Sequence, residues 1–395
     1  MNPLIYVGID VAKQKHDCCI LNAQGEVLQR IFTFTNDWSG FSKLQTAIQD
    51  AVTSQQDPSI KAGLEATGHY SENLLAFLRS IGIEPVVLNP LRVSLYRKAL
   101  SLRKTKTDKV DAKCIAGLLM SDESNPVPPS YQTQELKVLT RHRLRLVSMR
   151  SKAKIQFSRL TDILFPELCT VCWSTTQKSM LALLKVLPGA RKIAACRVDR
   201  LSAILTQASQ GRYGRAKAET IKALAQQSIG RESEALSFEL TQVIETIEFA
   251  QRKIDELDKV IHACVQTLQT PLISIPGISY CLASIILAEI GDISRFASPD
   301  KLLAFAGLEP SAYQSGNFTA SRTPMTKRGS TYLRWALLQA ARLVAMRCPE
   351  FKVYQARKRA QGKHYFVVLG HLAKKLVRVI FHILTTNECY RPQTA

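Results

Sequence analysis

The chain has 395 residues, 46% of them hydrophobic, which is enough for two or three domains with cores of their own. Its 53 Lys and Arg outnumber 32 Asp and Glu, so the net charge of +21 and pI near 9.7 point to a polyanionic partner, nucleic acid before a membrane surface. The apolar runs are broken by charge at about half the roughly 20 residues that a membrane-spanning helix needs, and no basic-then-apolar leader opens the chain, so a cytoplasmic protein is expected.

The first 125 residues alternate short apolar runs with helical patterns, an α/β reading. Strands are predicted at 4–10, 16–21, 26–34, 60–65 and 85–89, and helices at 38–52, 70–80, 91–101 and 107–121. This β-β-β-α-β-α-β-α-α order is that of the ribonuclease-H-like fold. Ser124-Asn125-Pro126-Val127-Pro128-Pro129 interrupts it as a linker. Residues 132–165 and 178–230 read as helical, the second with turn signals at Pro188-Gly189 and Gly211-Arg212-Tyr213-Gly214.

From Leu236 to Leu268 apolar residues recur in alternating steps of four and three: Leu236, Leu240, Val243, Ile247, Ala250, Ile254, Leu257, Ile261, Cys264, Leu268. The pattern fits a coiled-coil seam of nearly five heptads or a long core helix in a bundle, and the narrow, unbroken stripe favours the coiled coil, since a core-facing helix usually widens it. Eight acids between 232 and 258 face only Arg252 and Lys253, so this arm is expected to avoid nucleic acid and to dimerise. Beyond it, Leu272 to Ile278 followed by a helical pattern resembles a helix-hairpin-helix, and Ser298-Pro299 opens a helix through Ala306. Gly307 to Asn317 is too rich in turn formers to be helical. Residues 322–378 hold fourteen Lys and Arg against Glu350, too one-sided for an ordinary solvated face. The predicted segments are thus an α/β domain at 1–125, a helical coiled-coil middle at 126–270 and a mostly helical domain with the hairpin-like element at 271–395.

Most of the ten cysteines sit in apolar runs as small hydrophobes, and Cys169-x-x-Cys172 lacks the second ligand pair of a zinc site. Four acids stand out instead. Asp10 and Glu65 end predicted strands, and Asp108 and Asp111 are three apart on one helix face. Any one of them has a bland explanation as a turn, an ion pair or an acidic first turn. Together in this order they make a carboxylate cluster that a hard divalent cation, Mg²⁺ or Mn²⁺, would render tolerable. Lys104 and Lys106 lie beside them, and Lys137 to Arg159, which includes Arg141 and Arg143, supplies eight further cations and no acid, all suited to a phosphodiester backbone.

Gly8-Ile9-Asp10-Val11-Ala12-Lys13, Leu64-Glu65-Ala66-Thr67-Gly68, Lys106-Thr107-Asp108-Lys109-Val110-Asp111-Ala112, Pro276-Gly277-Ile278, Ala304 to Pro310, Gln314-Ser315-Gly316 and Lys327-Arg328-Gly329 resemble, in this order, the transposases of the insertion sequence 110 family, relatives of the Piv invertases. The resemblance covers about 4–122 and 271–385; the stretch 165–235 is longer than the family pattern and matches no motif. It implies a RuvC-like DEDD domain, a coiled-coil connector and a transposase domain with a nucleophilic serine. It also implies work on donor and target DNA through a structured guide RNA encoded by the element, in a nucleoid-associated homo-oligomer, dimer or tetramer. Carried over by motif, Asp10, Glu65, Asp108 and Asp111 would hold metal and Ser315 would attack DNA, with Lys327, Arg328 and Arg334 as candidates to neutralise the phosphate. The rival readings are a junction-resolving nuclease, in which the same acids activate water, and a non-catalytic nucleic-acid scaffold.

Overall fold

The strand β1 (Leu4–Val11) is apolar on both faces through Val7, Gly8 and Ile9, as a central strand covered by helices on either side must be. It pairs antiparallel with β2 (Lys15–Leu21), which pairs antiparallel with β3 (Val27–Thr35); on its other edge it pairs parallel with β4 (Ser59–Glu65), and β4 with β5 (Val86–Leu88). The mixed sheet order is β3-β2-β1-β4-β5. Such a sheet is compatible with the expected ribonuclease-H-like α/β domain. The computed structural model describes residues 4–55, 58–65, 68–100, 108–121, 131–311, 314–315, 318–319 and 323–392, in two units, Met1–Pro128 and Pro129–Ala395.

Strand alternation sorts the first unit into two faces. Ile5, Val7, Ile9, Cys18, Ile20, Ala62 and Leu64 point to α1 (Trp38–Thr53) and α2 (Glu72–Ser80), whose Leu44, Ile48, Leu74 and Leu78 complete one core. Asp37 caps α1 by accepting from the Gly40 amide at 2.8 Å. On the opposite face lie α3 (Pro90–Leu100) and α4 (Asp108–Met120), with Val93, Ile115 and Leu119 against β5 and Ala112 and Ala116 against Cys19 and Leu21.

Among its described residues the second unit is helical apart from one short strand pair and an isolated bridge between Pro310 and Met325. Two 34-residue helices, α5 (Tyr131–Leu164) and α10 (Glu234–Thr267), run antiparallel, because Arg143 meets Asp258, Arg150 meets Gln251 and Arg159 meets Glu239. The heptad seam therefore has its partner within the chain. Leu240, Val243, Ile247, Ala250, Ile254 and Ile261 are all buried, the first three in one core with Ala153, Phe157 and Leu160 of α5. The expectation that this stripe waits for another chain is corrected on that point: α5 already covers it, and the acids of α10 answer the cations of α5. Four short helices, α6 (Lys178–Val186), α7 (Ala190–Ala195), α8 (Val198–Ser209) and α9 (Arg215–Gln226), fill the stretch that matched no motif and close the same core.

A second core forms from α11 (Tyr280–Ile290), α12 (Pro299–Phe305), α13 (Thr331–Arg347), α14 (Pro349–Ala360) and α15 (Tyr365–Thr386). A 3-10 turn, Pro271–Ser274, joins α10 to it. In the hairpin-like element Gly277 has φ +105°, and a Cβ on it would stand 2.8 Å from the Leu343 carbonyl carbon, so this glycine admits the backbone of α13. Leu136, Ile261, Val265 and Ala288 link the ends of α5 and α10 to α11, so the segment boundary expected at 270/271 falls inside one unit.

Candidate active site

Gly8 of β1 and Gly63 of β4 are neighbours in the parallel register, and Ile9 pairs with Leu64. One residue further, Asp10 and Glu65 stand side by side near the carboxyl ends of the two strands, on the same face as the glycines. Over that face lies α4. A Cβ on Gly8 would meet the Ala112 carbonyl oxygen at 2.4 Å and the Ala116 nitrogen at 2.3 Å, so helix backbone touches strand backbone there. This contact sets the height and register of the helix, and with them the position of Asp111, the residue before Ala112.

Asp111 is 6% exposed and accepts from Arg97 at the end of α3 at 2.6 Å. The Arg97 pKa is raised, first by this hydrogen bond and, against the opposing effect of burial, also by the charges of Asp111, Cys114 and Glu65. Arg97 therefore lies within the field of two of the four predicted acids. Asp108 opens α4 three residues before Asp111; its side chain lies outside the described residues. Among the described residues no three His, Cys, Asp or Glu side chains converge closely enough to hold one metal ion.

A fifth acid joins the row. Asp17 is the direct cross-strand partner of Asp10, is 5% exposed, and accepts from Thr33, its own partner on β3, at 2.5 Å. Sequence reasoning passed it over because the signal is one of register: only once β1 and β2 are aligned does Asp17 fall opposite Asp10.

In the second unit, Gly307 to Ser311 runs antiparallel to 324–327, with the amides of Ser311, Thr326 and Lys327 donating to Pro324, Glu309 and Gly307. Further along, β6 (Gln314–Ser315) pairs with β7 (Phe318–Thr319), Ser315 opposite Phe318. Ser315 is thus placed by backbone on a strand pair, while its side chain lies outside the described residues. Lys327, at φ +54°, and Arg328 are exposed.

The remaining predicted cations divide. Arg334 donates to the carbonyls of Ala306 and Lys327, both at 3.2 Å, and so clamps the Lys327 turn from within. Arg141 binds buried Glu289 through two bonds of 2.7 and 3.0 Å, and Arg143 binds Asp258 through two of 2.5 and 3.1 Å. These three guanidinium groups are engaged inside the protein. Glu289 also accepts from Ser330, the N-cap of α13, at 2.8 Å, so one buried carboxylate ties α5, α11 and the start of α13 together. Lys104 and Lys106 lie outside the described residues.

Comparison with known proteins decides the family. A model named DEDD_Tnp_IS110 and described as a transposase matches residues 7–166, and another, described as Transposase IS116/IS110/IS902 family, matches 269–359. The chain carries the IS110-family transposase domains. It is 25% identical to the pilin gene-inverting protein of Moraxella bovis over 97% of this chain and 96% of that one. The transposase for insertion sequence element IS1111A of Coxiella burnetii is also 25% identical, over 99% of this chain and 92% of that one. So is a 44.8 kDa protein of insertion element IS116 from Streptomyces clavuligerus, over 98% and 96%. The chain is a transposase or recombinase of insertion sequences, an enzyme of DNA cleavage and rejoining. Among the described residues no helix is long and apolar enough to cross a membrane.

Proposed function

We propose that this transposase cuts and rejoins DNA through a Ser315 nucleophile, with Asp10, Glu65, Asp108 and Asp111 as ligands of a divalent cation. The observation that carries the reading is the placement of Asp10 and Glu65 on adjacent parallel strands beneath the helix that holds Asp111. All four donors are carboxylates, whose hard oxygens fit Mg²⁺ or Mn²⁺. Carboxylates so placed repel one another, and Arg97 relieves that repulsion at Asp111. When bound, such a cation would supply positive charge for the phosphate oxygens and lower the pKa of an attacking hydroxyl.

The Ser315 oxygen would attack phosphorus in line, forming a serine–phosphorus ester as the bond from phosphorus to one sugar oxygen breaks; the serine proton leaves and the freed sugar oxygen gains one. The ester keeps the energy of the broken bond, so attack by a new sugar hydroxyl can rejoin the strand without further input. Lys327 and Arg328, exposed and with no ion pair among the described residues, are the cations suited to the transferred phosphate. The reading includes a structured guide RNA encoded by the element, whose base pairing with donor and target DNA would carry site choice. It also includes a homo-oligomer, dimer or tetramer, assembled through surfaces other than the buried seam of α10.

The test is metal dependence of cleavage against binding. Asp10→Ala and Asp111→Ala proteins should lose strand cleavage and keep most of their affinity for DNA, because cations elsewhere supply it. Cleavage that persists in EDTA, or in the Asp10→Ala protein, overturns the metal role.

A further inference from the structure

We propose that the tip of the α14–α15 hairpin is a binding surface for single-stranded nucleic acid, with Tyr365 and Phe366 as platforms for unpaired bases and Arg357, Lys358, Arg359 and Lys363 as phosphate contacts. It rests on the reading that the chain works on nucleic acid, and is independent of which residue attacks.

The first observation is an exposed aromatic pair. Phe366 is 70% and Tyr365 37% exposed, their rings 5.4 Å apart and nearly edge-on, with the His364 ring 5.6 Å from that of Phe366. The first turn of α15 has no need of these rings for its core, which it reaches through Val368 and Leu372. Exposed rings flanked by cations are the composition of surfaces that stack successive bases.

The second is charge that no acid offsets, although Arg357 and Lys358 lie over the Tyr354 ring and Lys363 Nζ is 3.3 Å from His371 Nε2. Arg357, Lys358 and Arg359 end α14, where the helix dipole favours cations. Lys363 does not share that excuse, since it stands just before α15, where the 22-residue helix presents its positive end. No Asp or Glu occurs from 351 to 387, and among the described residues no ion pair reaches any of these four cations. Burial, then the charges of Lys363, Lys358 and Lys374, lowers the pKa of His371, an internal sign that cations crowd this end of the hairpin. An anion would relieve all of this at once. A second copy of the chain docked through the same tip would bring like charges together, which disfavours self-association here.

The third is order. Gly362, at φ +72°, turns the chain; Arg359 donates to the Lys363 carbonyl at 3.1 Å and Lys358 to the Gln361 side chain at 3.4 Å. His364 caps α15 by accepting from the Phe366 amide. The platform is therefore held in place before a strand arrives, so little ordering opposes binding.

The experiment measures affinity of the full chain for labelled twelve-nucleotide single-stranded DNA, the same sequence as RNA, and duplex DNA, by fluorescence anisotropy across a salt series. The Tyr365→Ala/Phe366→Ala protein should bind single strands about tenfold more weakly, with duplex affinity little changed. The Lys358→Gln/Lys363→Gln protein should flatten the salt dependence by about 0.7 in log–log slope for each lost contact. Preferential loss with RNA assigns the surface to the guide, and equal loss with both assigns it to any unpaired strand. Unchanged single-strand affinity in the aromatic variant, with an unaltered melting profile, overturns the proposal. So does a drop in particle mass by light scattering, which would make the tip a contact between copies. Asp10→Ala protein should keep this binding, so failure of the metal reading leaves the surface intact.

Discussion

Gly8 lies so close beneath Ala116 that a side-chain carbon on it would stand 2.3 Å from the Ala116 backbone nitrogen. The contact makes α4 a lid on β1 whose distance is fixed by the absence of a side chain, and Asp111 inherits its position from it. A Gly8→Ala substitution must push helix and strand apart. We expect a loss of about 1–3 kcal/mol of stability from overpacking, and a loss of cleavage well beyond what the unfolded fraction accounts for. Comparing activity per folded molecule, by circular dichroism and strand cleavage, checks it; normal specific activity would show that the height of α4 does not matter to the acids.

Arg97 is expected to take the place of external charge at Asp111. The Arg97→Met protein should be less stable without divalent cation by about 1–3 kcal/mol, the cost of leaving a charged group without its partner. Mg²⁺ should then raise its melting temperature more than it raises that of the parent protein, since binding to the folded state alone stabilises by mass action. Equal responses to Mg²⁺ would separate Arg97 from any metal site.

Substitutions in the seam of α10 now carry a different expectation from the one that the heptads alone suggest. Ile247 and Ile254 are 3% and 2% exposed, and α5 of the same chain runs along this helix. Ile247→Asp or Ile254→Asp should unfold the second unit, because each buries an unpaired charge. Thermal unfolding and light scattering decide: a folded protein of lower mass would mean that the seam serves assembly after all.

The limits of the sequence are physical. Periodicity located all five strands of the first sheet and the four helices around it to within a few residues, since each buries one face or both. The seam of α10 was equally legible, but a 4-3 stripe says only that something covers it. That the cover is α5 depends on Arg143, Arg150 and Arg159 meeting Asp258, Gln251 and Glu239, pairs separated by 80 to 115 residues. For the same reason Arg141 and Arg143 looked like phosphate contacts: a run of cations without local acids gives no hint of distant partners. Asp17 was hidden by register, and Glu289 by its setting in the apolar run of α11, where only Arg141 and Ser330 reveal its role.

Glu289 makes the second unit sensitive to acid. Burial alone would raise its pKa, but the bonds from Arg141, the charge of Lys137 and the bond from Ser330 outweigh it and hold the carboxyl below its ordinary 4.5. A carboxylate depressed on folding stabilises the native state above its unfolded pKa, and that contribution is lost as pH falls through the native value. Urea midpoints should therefore decline below about pH 4.5. The Glu289→Gln protein should start about 1–3 kcal/mol lower at neutral pH and decline less steeply. Parallel declines would mean that other acids govern the transition.

The most direct measurement of the central claim is the bond between protein and DNA. Cleavage of a labelled substrate, quenched in denaturant and resolved by electrophoresis, should yield a protein–DNA adduct, and digestion with mass spectrometry should place the nucleotide on Ser315. The adduct should be absent from Ser315→Ala protein, from Asp10→Ala protein and from reactions in EDTA. An adduct that forms in the Ser315→Ala protein, or cleavage that releases a free 5′-phosphate with no adduct at any time, would contradict the account.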